Sequence, residues 1–154
     1  MAQQPTTGIR QNEQDLEIYE NVIAAIEDDT VVRESRVPIE VHVEEGVVTL
    51  SGIVLSEIMR QRVLYAAATT PGVKKVIDHL YSDTQIEQDV ARAFAGDSLL
   101  RGVHVEISSY QGTVTLHGML ESAEQKEAAL KLAAGTPGVR RIHDLLEVKA
   151  EEKA

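Results

Sequence analysis

The sequence predicts an α+β fold of two tandem α-β-β-α-β modules, each a three-stranded mixed sheet with two helices on one face. Three observations lead to this prediction: an internal repeat, alternating apolar residues typical of strands, and apolar residues at helical spacing. Apolar residues make up 43% of the 154-residue chain, which is enough to build a core. The single Phe and the absence of Trp indicate small aliphatic cores, which suit two-layer modules.

The repeat is visible when the sequence is compared with itself at an offset of 66 positions. Residues 46–80 then align with residues 112–146 without a gap, with 15 identities among 35 pairs. Glycines, turn residues and the spacing of apolar residues are preserved together, so the repeat divides the chain into two equivalent domains. We predict a flexible N-terminal segment 1–13, a first domain 14–82, a second domain 83–149 and a C-terminal tail 150–154.

Each module begins with a predicted helix. In the first module Ile18, Val22 and Ile26 recur at helical spacing. In the second module Asp83 or Thr84 is the expected N-cap, because a short side-chain oxygen can accept a hydrogen bond from the first turn. The apolar residues of that second helix are Ile86, Val90, Ala93 and Phe94.

A β-hairpin follows each of these helices. Apolar and polar residues alternate from Val37 and again from Val103, which predicts strands with one buried face. The dipeptides Glu45-Gly46 and Gln111-Gly112 are turn signals, after which apolar alternation returns as a second strand.

The second half of each module is predicted to form a helix and a third strand. Ser56 and Ser122 are predicted N-caps, and Gln125 completes a capping-box pattern with Ser122. A Thr-Pro-Gly sequence ends each helix, because proline removes an amide donor and glycine permits the turn. The third strands carry Val76 and Leu80 in the first module, and Ile142 and Leu146 in the second.

Composition and motifs exclude several classes of function. A net charge of −10 repels phosphate backbones, so nucleic acid is not an expected partner. The chain has no cysteine, no nucleophile-elbow motif and no histidine pattern of metal enzymes, so we expect no catalysis, no cofactor and no metal. No apolar run reaches the length of a transmembrane segment, and residues 1–13 lack a signal-peptide core. The expected location is cytoplasmic, or periplasmic if an export signal was removed.

The motif Gly-x-Val-Thr-Leu-x-Gly, a Ser-started helix and the series Pro-Gly-Val-x-x-Val/Ile-x-Asp-x-Leu resemble the BON domain family. The resemblance covers residues 14–82 and 83–149. It implies a tandem protein without catalytic activity that binds at phospholipid surfaces or within the cell envelope under osmotic or other stress. A cytoplasmic relative that joins one such domain to a LysM domain is associated with potassium sensing.

Two sets of repeated residues are candidates for ligand binding. The first set is the glycines, which either let backbone approach an anionic ligand or serve turn geometry. The second set is the basic doublets, which either bind lipid headgroups or lie solvated at a strand start. The candidates are Gly46, Gly52, Gly112 and Gly118, with Lys74, Lys75, Arg140 and Arg141.

The third strands carry further candidates on opposite faces. Asp78 and Asp144 share the phase of the apolar core residues. A half-buried carboxylate there either titrates unusually or holds a cation, or it accepts hydrogen bonds from a nearby helix end or turn, which we favour. On the other phase lie Ile77, Tyr81 and Leu145, which would be exposed on the open sheet faces unless they contact another module or a second subunit.

Three hypotheses of function remain open at this point. The first is a binding or scaffold protein for osmotic or envelope stress, whose partner is a protein or a second copy of the chain. The second is a phospholipid-surface module that uses the basic doublets. The third is a sensor of K⁺, whose ligands are turn carbonyls near the glycines.

Overall fold

The structure, a computed structural model, describes residues 4–149, with side chains from residue 11 onward. The chain folds as two compact units that divide between Tyr81 and Ser82. Each unit contains a three-stranded mixed sheet with helices, so the predicted α+β class with two tandem modules is confirmed. We call the units the first and second modules.

The helices of the first module are α1 (Gln4–Asp28), α2 (Thr30–Ser35) and α3 (Glu57–Ala68), and its strands are β1 (Ile39–Glu44), β2 (Val47–Val54) and β3 (Lys75–Ser82). The strand order is β1-β2-β3, in which β1 and β2 form an antiparallel hairpin.

The second module has the strand order β4-β5-β6, in which β4 is antiparallel and β6 is parallel to the central β5. The parallel pairing requires a crossover connection, and the helix between β5 and β6 provides it. The elements are α4 (Asp83–Ala95), β4 (Glu106–Tyr110), β5 (Thr113–Leu120), α5 (Ala123–Ala134) and β6 (Arg141–Val148).

Both hairpins close through a two-residue turn in which each residue has a positive φ. The φ values are 51° and 81° at Glu45 and Gly46, and 54° and 83° at Gln111 and Gly112. Positive φ at both positions is the type I′ geometry, which matches the right-handed twist of the strands. Glycine at the second position therefore serves the turn, where a side chain would be strained.

Gly52 and Gly118 have a different role, because they let two strands approach closely. A Cβ on Gly52 would lie 2.9 Å from the carbonyl oxygen of Pro38, and one on Gly118 would lie 3.0 Å from that of His104. In both modules the glycine thus faces the chain that leads into the first strand of the hairpin.

The core of each module lies between its sheet and its helices. In the first module Leu50 of β2 and Val63 of α3 belong to one buried cluster and are fully inaccessible to solvent. Leu116 of β5 and Ala129 of α5 are equally buried at the corresponding positions of the second module. The repeat therefore preserves the packing positions even where the residue types change.

Several local predictions are confirmed or corrected. Ser56 and Ser122 are N-caps, as predicted. The N-cap of α4 is Ser82, whose Oγ accepts from the amide of Gln85 at 3.1 Å, so the assignment to Asp83 or Thr84 was wrong.

The ends of the chain and one connection also differ from the prediction. Residues 1–13 were predicted to be a flexible segment, but in the structure helix α1 begins at Gln4. That stretch is polar, so it lacked the apolar periodicity that signals a helix. Helix α2 was not predicted; it lies in the connection between the first helix and the first strand of the first module. Residues 1–3 and the predicted tail 150–154 lie outside the described residues.

The close approach at Gly52 leads to a stability prediction. Gly52 has a φ of 135° and no room for a Cβ, so Gly52→Ala should destabilise the first module by about 2–4 kcal/mol. Gly96→Ala is the matched control, because its added Cβ meets only ordinary contacts at 3.5 Å. Calorimetric unfolding of the two variants measures the difference, and equal melting temperatures would contradict this account.

Candidate functional site

One carboxylate of the first helix binds the hairpin turn in each module. In the first module Asp15 accepts from the amide of Glu45 at 2.8 Å and from that of Gly46 at 3.1 Å. In the second module Asp83 accepts from the amides of Gln111 and Gly112 at the same two distances. Two adjacent amides that point outward from a turn form an anion site. In both modules an internal carboxylate occupies that site.

The arrangement in the second module is more extensive and more buried. Asp83 is only 3% exposed, and its Oδ1 also accepts from the hydroxyl of Ser109 at 2.6 Å. Glu87, one turn further along α4, accepts from the backbone amide of Ser109 at 2.8 Å. Helix α4 therefore fixes both the turn and the adjoining strand of the hairpin.

The hydrogen bonds to Asp15 have a consequence for pH. Partial burial acts to raise the pKa of Asp15, but the amides of Glu45 and Gly46, the amide of Gln11 and the charge of Lys74 together lower it below its ordinary value. Because the folded pKa lies below the unfolded one, the carboxylate stabilises the fold above its ordinary pKa. This contribution is lost as the pH falls through the lowered pKa.

Asp29 is a second structural carboxylate in the first module. Burial acts to raise its pKa, but hydrogen bonds from Arg62 and from the amide of Val32, with the charge of Arg62, lower it. Both carboxylate oxygens accept from Nε of Arg62, at 2.9 and 3.1 Å. Asp29 is also the N-cap of α2, so the carboxylate joins this short helix to α3.

The basic doublets lie beside the hairpin turns. The amide of Lys74 donates to the carbonyl of Gly46 at 2.8 Å, and its alkyl chain covers the α-carbon of that glycine. The amide of Arg140 donates to the carbonyl of Gly112 at 2.8 Å, and Arg141 shares that carbonyl at 3.3 Å. The structure therefore places each doublet next to the turn glycine of its own module, with all four side chains exposed, including that of Lys75.

Asp78 and Asp144 each make two interactions on the third strand. Asp78 accepts from the amide of Leu80 at 2.9 Å and forms an ion pair with Arg60 of α3. Asp144 accepts from the amide of Leu146 at 2.9 Å, and Lys126 of α5 lies 3.5 Å away. The acceptor role was predicted, but the donors are a strand amide and a helix cation and not a helix end or turn.

The candidate interface residues lie on the sheet faces opposite to the cores. Tyr81 and Leu145 are each 44% exposed, and Ile77 is half-buried. On β5, His117 is the direct neighbour of Leu145 and lies 3.4 Å from Glu106 of β4. Within residues 4–149 no group of three His, Asp or Glu side chains could hold a metal ion.

Comparison with known proteins places the chain in a family of modules that share this fold. The model of the BON domain matches residues 14–80 and again residues 82–150, which together cover most of the chain. The protein therefore belongs to the BON domain family and carries two consecutive copies of the domain.

One curated relative and two solved structures resemble the chain. Osmotically-inducible protein Y of Escherichia coli K12 is 27% identical over 124 aligned residues. The alignment covers 72% of this chain and 62% of that protein. Two structures of CdsD, a structural protein of the type III secretion system of Chlamydia trachomatis, match with TM-scores of 0.71 and 0.69 at 12% identity. They cover 90% and 88% of this chain, and the chain covers 65% and 67% of theirs. This likeness shows the fold. The described helices include none that is long and apolar enough to span a bilayer.

Sequence reasoning missed the role of Asp15 and Asp83, although a signal was present. The first helices align at an offset of 68, which places Ile18 on Ile86 and also Asp15 on Asp83. A carboxylate repeated in phase with the buried residues was the available indication of a shared structural role.

The buried carboxylate gives a second stability prediction. Asp83→Ala should destabilise the second module by about 2–4 kcal/mol, because two backbone amides and a hydroxyl lose their acceptor. Asp89→Ala is the control, since this residue of α4 contacts the side chains of Gln85 and Arg92 and no backbone amide of the hairpin, and should cost less than about 1 kcal/mol. Chemical denaturation with hydrogen exchange at Gln111 and Gly112 measures both effects. Unchanged exchange at these amides would contradict the assignment.

Proposed function

We propose that this chain is a non-enzymatic binding or scaffold protein that acts in osmotic or envelope stress. The family supports this role, and the relative named osmotically-inducible protein Y connects the family with osmotic induction. The cytoplasmic or periplasmic location stays a prediction from the sequence.

The observation that supports a non-enzymatic function is that five aspartate carboxylates make contacts within the protein itself. Asp15 and Asp83 bind turn amides, Asp29 caps a helix, and Asp78 and Asp144 bind a strand amide and a helix cation. An acid or base for catalysis needs a proton-accepting group that faces a substrate. Here these groups bind the protein's own amides and basic side chains, so binding through exposed surface is the better-supported function.

Growth under osmotic stress tests the proposed role. A strain without the gene should recover more slowly than its parent after a shift to high sorbitol, and the wild-type gene should restore recovery. A sorbitol shift separates osmotic stress from the ionic effects of salt. Equal recovery of deletion and parent strains, together with unchanged transcript levels after the shift, would contradict the osmotic role.

A second candidate function is contact with anionic phospholipid through the basic doublets. The doublets differ in a way that matters for this function. Lys74 lies close enough to Asp15 to lower the pKa of that carboxyl, so its charge is partly compensated. The side chains of Arg140 and Arg141 are exposed and make no ion pair within the described residues. Arginine also binds phosphate in a two-pronged geometry that lysine cannot form.

Liposome flotation tests the lipid function. With phosphatidylglycerol vesicles, Arg140→Ala with Arg141→Ala should reduce flotation more than Lys74→Ala with Lys75→Ala, because the second doublet has the less compensated charge. Phosphatidylcholine vesicles control for uptake that does not depend on charge. If a variant with all four residues changed to Ala floats like the wild type, the doublets do not bind lipid.

K⁺ sensing by turn carbonyls has less support from the geometry. The carbonyl of Gly46 accepts from Lys74, and the carbonyl of Gly112 accepts from both Arg140 and Arg141. A cation would have to share these oxygens with amides of basic residues. We therefore rank this alternative below protein binding and lipid contact.

A further inference from the structure

The edge strands of the two sheets differ in whether a side chain accepts a hydrogen bond from their outward amides. An edge strand presents unpaired N–H and C=O groups to which another strand can add. On β3, the carboxylate of Asp78 accepts from the amide of Leu80, and on β6 that of Asp144 accepts from the amide of Leu146. A side chain of the strand itself thus occupies an amide on each of these two edges.

The other two edges, β4 and β1, are equivalent in the repeat but differ in their contacts. On β4, the outward amide of Ser109 donates to Glu87 of α4. The residues at the corresponding positions of the first module are Val43 and Tyr19. Tyrosine has no carboxylate to offer. Within the described part of the chain, the amide of Val43 has no acceptor, whereas that of Ser109 has one. The amide of Val41 is also without an acceptor there, as is that of its counterpart Ile107, so the two edges differ at the single amide nearest the turn.

The direction of these amides follows from the hairpin register. Val43 pairs with Val48 as Ser109 pairs with Val114. In an antiparallel pair, alternate residues direct their N–H and C=O groups away from the partner strand. The outward amide of Ser109 therefore shows that the amides of Val43 and Val41 also point to the open edge.

A groove with two chemically different sides runs along β1. Two adjoining cavities of about 410 and 450 Å³ share Tyr19, Val41 and His42. On the helix side the groove is lined by Leu16 and Tyr19 of α1, which are 56% and 40% exposed. On the open sheet face it is lined by exposed Glu40, His42 and Glu44.

We propose that the β1 edge of the first module binds an extended peptide by strand addition. The peptide alternates apolar residues, which contact Leu16 and Tyr19, with basic residues, which lie beside Glu40 and Glu44. The inference rests on the proposed binding role and names its surface and its partner class. A second copy of the chain is a poorer occupant. Antiparallel pairing of two β1 strands would bring their glutamates together, and adjacent like charges destabilise a strand pair.

The test uses the full chain and a fluorescein-labelled peptide of about seven alternating Lys and Val residues, a length typical of strands. The variant Tyr19→Glu with Val43→Ser introduces the cap of the second module. We expect it to weaken binding, measured by fluorescence anisotropy, by at least about tenfold, because the edge amide gains an internal acceptor and the groove loses an aromatic side. Tyr65→Glu, on exposed α3, makes the same change elsewhere and should leave binding unaltered.

Two further measurements make the test independent of the variant's folding. Peptide binding to the wild-type chain should slow hydrogen exchange at the amides of Val41 and Val43. The same peptide with alternate backbone nitrogens methylated should not bind, because it keeps the side chains but cannot pair with the edge. Equal binding of the methylated peptide, or unchanged exchange at both amides, would overturn strand addition.

The remaining outcomes distinguish peptide binding at this edge from self-association, and test it separately from the proposed function. Light scattering should show a monomer, and a dimer that Tyr19→Glu with Val43→Ser dissociates would assign the edge to a second copy and overturn the proposal. Failure of peptide binding with normal osmotic protection by the wild-type gene would remove the β1 site and leave the proposed function intact. Failure of osmotic protection with peptide binding retained would remove the proposed function and leave the β1 site intact.

Discussion

The carboxylate that binds the hairpin turn is the interaction on which each module depends. A type I′ turn directs two successive amides outward, and leaving them without acceptors would cost free energy in a buried setting. Asp83 is 3% exposed and binds the turn of its own module, which lies 28 and 29 positions further along the chain. Because the same residue begins α4, this contact fixes the helix against the hairpin and sets the position of the edge strand.

The duplication separates what the fold requires from what can vary. Both modules keep the turn carboxylate, the glycine that lets strands approach, and the ion pair between a third-strand aspartate and a basic residue of a helix. The cation itself changes from Arg60 to Lys126, so the charge is retained and the geometry is not. The basic doublets change from lysine to arginine, and the residue one turn after the turn carboxylate changes from Tyr19 to Glu87. Core residues change as well, from Val63 to Ala129 for example, but the positions stay buried.

The sequence predicted the elements whose determinants are local. Helical periodicity, strand alternation, the turn dipeptides and the caps at Ser56 and Ser122 all act within a few residues. The contact of Asp15 with Gly46 spans 31 positions, so no local pattern contains it. Asp83 was assigned to a local cap for the same reason, since a short acidic residue at a helix start has a plausible local role. The candidate glycines and doublets were located, but their contacts depend on how the hairpin and third strand meet.

The difference between the β1 and β4 edges also bears on solubility. If both edges were open, one copy could add its β1 to the β4 of the next, and such head-to-tail contacts continue into filaments. Glu87 occupies one outward amide of β4 by accepting from Ser109, which makes that edge less available for pairing. The glutamates of β1 then oppose pairing of two β1 strands, and a net charge of −10 adds a general repulsion between copies. An open edge can therefore persist in this chain because the residues around it disfavour self-association and favour a basic partner.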